Sequence, residues 1–115
     1  MLAFTPDEVA AIARQPRPWA EPSERVCPAC GSTSIRFYLQ GSMRNDHQIL
    51  FSYVWCSRCR RYHGSTGPVP DGLVFEDPLA SDALEWGAKG DTFFARLDDA
   101  WGRGVLPQRF TSIPR

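Results

Sequence analysis

Long apolar runs are missing from this 115-residue chain. None approaches the roughly 18 residues that a membrane-spanning helix needs. A secretory leader pattern is missing too: Met1–Arg14 carries Asp7 and Glu8 and no extended apolar stretch. The expectation is a cytoplasmic protein whose thiols stay reduced. Lysine is almost absent, with Lys89 alone against twelve arginines. Together with frequent Ala, Gly and Pro, this bias points to a GC-rich bacterial genome. Histidine is scarce, limited to His47 and His63. There is no Gly-rich phosphate loop, no nucleophile elbow and no H-E-x-x-H. Asp46-His47 is the one adjacent acid–histidine pair, and neighbours at a strand start point apart. These absences leave no enzyme signature and no evident small-molecule substrate. The formal charge is zero, so the chain as a whole gains little from general attraction to phosphate backbones.

The scarce residue that is organised is cysteine. All four occur as two C-x-x-C pairs, Cys27/Cys30 and Cys56/Cys59, with 25 residues between Cys30 and Cys56. Two thiolates three positions apart on a tight turn can reach one ion. Two such turns facing each other close a tetrahedron of four sulfurs, the shell that a structural Zn²⁺ prefers. Two disulfides would require an oxidising compartment. A redox pair would use a single C-x-x-C opening a helix. An iron–sulfur cluster is a further reading, and His63 could replace a cysteine in an alternative coordination.

Between the pairs, Ile35–Gln40 alternates in polarity and reads as a strand, Gly41–Asp46 as a turn, and His47–Trp55 as a second strand rich in aromatic and β-branched residues. Arg61–His63 can return as a short third strand. Ile49, Phe51, Tyr53 and Trp55 would line one face, and Leu50 and Val54 the other. Apolar residues on both faces imply a strand covered on both sides; the alternative is an aromatic platform for bases or a partner. Knuckle, hairpin, knuckle and strand follow one another as in a zinc ribbon, and residues from about Val26 to Ser65 resemble that family. The resemblance implies four cysteine ligands, one Zn²⁺ and an antiparallel sheet, and it implies no particular task. The transcription-elongation type of ribbon carries an acidic Asp-Glu pair at the hairpin tip. Here the tip reads Ser42-Met43-Arg44-Asn45-Asp46, so that role is not implied.

Thr5-Pro6-Asp7-Glu8 has the form of a helix start, with Thr at the cap and Glu three residues on. Leu2, Phe4, Val9 and Ile12 would pack inward, and the helix should stop before Pro16. Pro16, Pro18 and Pro22 make an extended linker around Trp19, which would pack on the sheet or face a partner. Gly64–Ser81 reads as an ordered loop, with Leu73-Val74-Phe75 as a short strand. Ser81 can cap a short helix through Trp86. Asp91-Thr92 can cap a second helix, whose Phe93, Phe94, Leu97 and Trp101 form an apolar stripe. The tail would fold back on Leu106 and Phe110. The expected class is α+β: a small antiparallel zinc-ribbon sheet with a flanking N-terminal helix and a C-terminal helical region. One domain spans residues 1–115, divided into 1–25, 26–65 and 66–115.

Charge is uneven. Residues 14–63 carry eight arginines against three acids (+5), and residues 64–101 carry eight acids against two bases (−6). Arg25, Arg58, Arg60 and Arg61 flank the knuckles. They would contact phosphate, or they would stabilise a four-thiolate zinc dianion. Asp71, Glu76, Asp77, Asp82 and Glu85 would be a solvated face or would meet a basic partner protein. The segments Gly67–Gly72, Asp77–Leu79 and Trp101–Phe110 resemble small actinobacterial zinc-ribbon proteins, some of them similar to immunity proteins of secreted toxins. That resemblance implies a non-enzymatic protein that binds and neutralises a partner. The other reading is a nucleic-acid-binding ribbon using the arginine edge, with a transcription- or RNA-related role. A third is an enzyme whose zinc is structural.

Overall fold

The computed structural model describes residues 2–79 and 90–114. In chain order the elements are β1 (Leu2–Ala3), α1 (Pro6–Ala13), β2 (Arg25–Val26), β3 (Thr33–Arg44), β4 (His47–Cys56), β5 (Arg61–Pro68), β6 (Val74–Phe75), α2 (Gly90–Gly102) and β7 (Phe110–Ser112). Mixed α and β content is therefore as expected. The main sheet has five strands in the order β1-β5-β4-β3-β2, and β6 pairs with β7 in a separate two-stranded sheet. All pairings are antiparallel except β1 with β5, which is parallel. The purely antiparallel expectation is corrected at that edge. Leu2 pairs with Arg61 and Ala3 with Tyr62, and the Phe4 N–H continues the ladder to the Tyr62 carbonyl at 2.9 Å.

The hairpin is longer than its sequence signals indicate. β3 continues through Gly41–Arg44, and the turn is only Asn45-Asp46, closing Arg44 on His47. Both turn residues have positive φ, 50° and 65°, the combination that a two-residue type I′ connection requires and that Asn and Asp tolerate. β5 likewise runs to Pro68, five residues beyond expectation. Its glycines and proline read as loop punctuation, but β4 offers a ladder as far as Ile49↔Pro68. Gly64 lies opposite Tyr53, whose ring is at ordinary van der Waals distance from where a Cβ would sit.

β4 is covered on both sides, as its two-sided apolar pattern predicts. On one face Tyr38, Tyr53, Trp55 and Tyr62 meet Phe93, Phe94, Leu97 and Ala100 of α2. Trp55 is fully buried, and its ring lies 5.6 Å from Phe94; Tyr53 and Phe93 are 4.8 Å apart. On the other face Phe4, Ile35, Val54, Val9 and Ile12 pack around Cys27 and Cys56. Beyond them, Leu39, Leu50 and Leu73 gather Trp19, Phe75 and Phe110. Trp19 thus packs on the sheet side. Each fully buried aromatic or aliphatic side chain contributes about 1.5–3 kcal/mol, so these clusters carry most of the folding drive outside the cysteines.

α1 begins as expected. The Glu8 N–H donates to Thr5 Oγ1 at 3.2 Å, and the Thr5 N–H donates to Glu8 Oε1 at 2.8 Å, a reciprocal cap of about 1 kcal/mol. Leu2 corrects the expectation of an inward side chain: it is 68 % exposed, because its strand lies at the sheet edge. α2 carries the predicted stripe. The helix proposed from Ser81 to Trp86, and the Asp91 side chain, lie outside the described residues. The tail folds back on buried Leu106 and half-buried Phe110. Where β2 ends, the bare edge of β3 is met by Gln108, which is 3 % exposed. Its Oε1 accepts the Leu39 N–H at 3.0 Å, and its Nε2–H donates to the Leu39 carbonyl. One side-chain amide does there what a strand would do.

Candidate metal centre

The sheet brings the two cysteine turns together. Cys27 directly follows β2, Cys56 ends β4, and β3 lies between them, pairing Ile35 with Cys56. Each turn is tied in the same way. The Gly31 N–H donates to the Cys27 carbonyl at 2.8 Å, and the Arg60 N–H to the Cys56 carbonyl at 3.2 Å. The fourth residue after each leading cysteine has a left-handed backbone, Gly31 at φ 78° and Arg60 at φ 63°. Glycine does this without strain, whereas an arginine there costs about 1–2 kcal/mol. Backbone N–H groups point at sulfur: Ala29 to Cys27 Sγ at 3.4 Å, and Cys59 and Arg58 to Cys56 Sγ at 3.3 and 3.4 Å. Such donors favour negative sulfur.

The four sulfurs lie within 4.8 Å of one another. Cys27 and Cys59 are 3.8 Å apart, and Cys30 and Cys56 are 3.7 Å apart. A tetrahedron with metal–sulfur bonds of about 2.3 Å has edges of about 3.8 Å, so the donor set fits one thiolate-bound ion. All four cysteines are free thiols, which sets aside the disulfide reading. The cluster contains no histidine. His63 sits in β5 opposite Val54, and His47 is exposed beside the hairpin turn.

Two serines extend the centre. Ser34 Oγ lies 2.9 Å from Cys56 Sγ, Ser32 Oγ lies 3.0 Å from Cys30 Sγ, and the two hydroxyls are 2.8 Å apart. The Ser32 hydroxyl and N–H hold the Cys30 thiol down at about 6. At Cys56 burial opposes ionisation, but Ser34 and the backbone N–H groups outweigh it and lower the pKa. Burial raises Cys27. Burial, then the neighbouring sulfurs of Cys56 and Cys27, push Cys59 up to about 12. In the metal-free tetrad, Cys30 and Cys56 are thus shifted toward thiolate, and Cys27 and Cys59 away from it. A divalent cation would draw all four to thiolate.

No protein-family model, curated protein or solved structure matches the chain.

The arginines around the knuckles are placed differently from one another. Arg25 turns inward, donating to the carbonyls of Pro16, Arg17, Glu21 and Ser23, and so holds the proline-rich segment. Arg60 pairs with Asp98 at 2.7 Å, and Arg61 with Glu8 at 3.6 Å. Arg58 is exposed. Among the acids, Asp71 and Glu76 are exposed. Asp77 is engaged internally: its Oδ1 accepts the Tyr38 hydroxyl at 2.7 Å and the Leu79 N–H at 3.1 Å. Burial, reinforced by Asp77, raises the Tyr38 pKa well above the phenolic range. Asp82 and Glu85 lie outside the described residues.

Asp98 is a junction. Its Oδ1 accepts Trp55 Nε1–H at 2.7 Å and Arg36 at 2.9 Å, while its Oδ2 takes Arg60. Arg36 also reaches Glu24 at 3.3 Å and lies over the Trp101 ring at 5.6 Å. One carboxylate thus links α2, the sheet and the second knuckle. Ser32 and Ser34 were legible in principle, since residues two apart on an extended chain share a side. Asp98 carried no such signal.

Proposed function

We propose that the four cysteines hold a zinc ion as a closed four-thiolate structural centre, and that the chain is a non-enzymatic zinc-ribbon protein that binds a partner protein. The sulfur tetrad carries this reading. Four cysteines fill a tetrahedral shell and leave no position for a substrate or an activated water. Zinc then acts by fixing the sheet.

The partner surface we assign is the small β6–β7 sheet. Val74 and Ile113 are 55 % and 51 % exposed there, and Val74 pairs with Ser112, next to Ile113. Exposed Asp71 and Glu76 flank Val74 in sequence. An apolar spot with an acidic rim suits a basic partner, as in a neutralising protein of the immunity or antitoxin type working in the cytoplasm. The nucleic-acid reading is less well supported, since Arg25, Arg60 and Arg61 are engaged within the fold.

The test is affinity purification from extracts of the producing cell, with and without nuclease. A protein retained after nuclease treatment, and lost with Val74→Arg and with Glu76→Lys, supports the proposal. Capture that disappears on nuclease treatment, or survives both substitutions, overturns it.

A further inference from the structure

The sulfur tetrad is shielded unevenly. Cys27 and Cys56 have no exposed surface, and Cys59 is half-buried. Cys30 is exposed. Its neighbours Ala29 and Gly31 are exposed too, and no atom lies within 4 Å of where a Cβ on Gly31 would sit. Solvent therefore reaches the centre at one corner. Oxidants select cysteines by thiolate character and by access. A coordinating sulfur is a thiolate, so in the loaded centre access decides, and it favours Cys30.

The exposed sulfur has a second sulfur beside it. Cys56 Sγ is 3.7 Å from Cys30 Sγ. Two hydroxyls bridge this pair: Ser32 Oγ is 3.0 Å from Cys30 Sγ, Ser34 Oγ is 2.9 Å from Cys56 Sγ, and the hydroxyls are 2.8 Å apart. The other close pair, Cys27 and Cys59 at 3.8 Å, includes a fully buried sulfur and offers no such open member. Joining Cys30 to Cys56 requires the sulfurs to close from 3.7 Å to about 2.05 Å.

We infer that Cys30 is a modification site, where a peroxide oxidises the loaded centre and opens it through a Cys30–Cys56 disulfide. The inference rests on the zinc reading given above. In the first step the Cys30 thiolate attacks one oxygen of hydrogen peroxide. The S–O bond forms, the O–O bond breaks, Cys30 becomes a sulfenic acid and hydroxide leaves. The Ser32 hydroxyl is the donor at hand for the departing oxygen. In the second step the Cys56 thiolate attacks the Cys30 sulfur. The S–S bond forms, the S–O bond breaks and a second hydroxide leaves. Two thiolates and one hydrogen peroxide thus give one disulfide and two hydroxides. Cys27 and Cys59 alone cannot close a four-sulfur shell, so the chain loses its hold on the ion.

The experiment exposes the zinc-loaded full chain to hydrogen peroxide. Zinc release is followed with a chromophoric chelator, and the cysteines are mapped by mass spectrometry after blocking with N-ethylmaleimide. About one zinc should be freed per peroxide consumed. The first disulfide should join Cys30 to Cys56, with Cys27 and Cys59 carrying maleimide, and dithiothreitol with zinc should restore the loaded chain. Cys30→His keeps a fourth ligand without an oxidisable sulfur at the open corner, so its release should be at least about tenfold slower. Cys59→His keeps the reacting pair and should release zinc within about twofold of the wild-type rate. A first disulfide between any other two cysteines overturns the inference, and that wild-type result decides even where a variant fails to load. Zinc retained by the wild-type chain in millimolar peroxide, or wild-type release from Cys30→His, overturns it as well. A chain that takes up no zinc at all removes the zinc reading and this inference with it, whereas a loaded chain that resists peroxide refutes the oxidation site alone.

Discussion

Replacing Asp98 by Ala removes one carboxylate from three donors at once. Trp55 is fully buried, and its Nε1–H has Asp98 as acceptor at 2.7 Å. Leaving that donor unmet costs about 1–3 kcal/mol. The Arg36 and Arg60 guanidiniums are more accessible, with 20 % and 40 % of their side-chain surface exposed. They can turn to water, so each lost pair adds at most about 1 kcal/mol. The expected total is about 2–4 kcal/mol. At about 4 °C per kcal/mol for a domain of this size, the melting temperature should fall by roughly 8–16 °C. Asp98→Asn keeps an acceptor for Trp55 and loses only the charge, so it should cost less than half as much. The assay is thermal unfolding at saturating metal, followed by near-UV circular dichroism. A double-mutant cycle with Trp55→Phe should return a coupling of about 1–2 kcal/mol. An Asp98→Ala variant within about 0.5 kcal/mol of wild type, the range of an ordinary surface substitution, would refute the claim that α2 is fastened to the sheet through this carboxylate.

Gln108→Ala orphans both backbone groups of Leu39; a loss of about 2–4 kcal/mol is expected, with markedly faster hydrogen exchange at the Leu39 amide. A wild-type exchange rate in that variant would show that the edge is satisfied in another way. Ser34→Ala removes the hydroxyl beside Cys56 Sγ and should weaken metal affinity by about 10–100-fold in a competition with a colorimetric chelator, leaving the loaded fold intact. Tyr38 ionises at higher pH in the folded chain than in the unfolded one, where the ordinary value is 10.0. Its contribution to stability is complete below that pH and is lost as pH rises above it, by about 1.4 kcal/mol per pH unit. Alkaline denaturation should therefore be shallower in Tyr38→Phe, and an equal slope in the two proteins would count against the buried phenol.

The elements announced by strong local chemistry were legible in the sequence. Thr5 and Glu8 could be read as a reciprocal cap because the interaction spans three residues. β4 could be read because its aromatic and β-branched residues populate both faces. The cysteine spacing pointed to a shared ion, and the sulfurs do converge. What was missed depended on distant partners. Gly64–Pro68 is poor in strand formers, and it is extended because β4 supplies the hydrogen bonds. Gln108 is an ordinary polar residue until the bare edge of β3 lies beside it. Arg25 and Arg60 resembled a free basic edge because nothing local shows that proline-segment carbonyls and Asp98 will reach them. Asp77 was read with the acidic face for the same reason, although Tyr38, 39 residues earlier, claims it.

X-ray absorption at the zinc edge, on protein purified reduced and without added metal, addresses the centre most directly. One zinc per chain with four sulfur neighbours at about 2.3 Å is the expected result. A chain without metal, or a first shell containing nitrogen or oxygen, would contradict a centre built from Cys27, Cys30, Cys56 and Cys59.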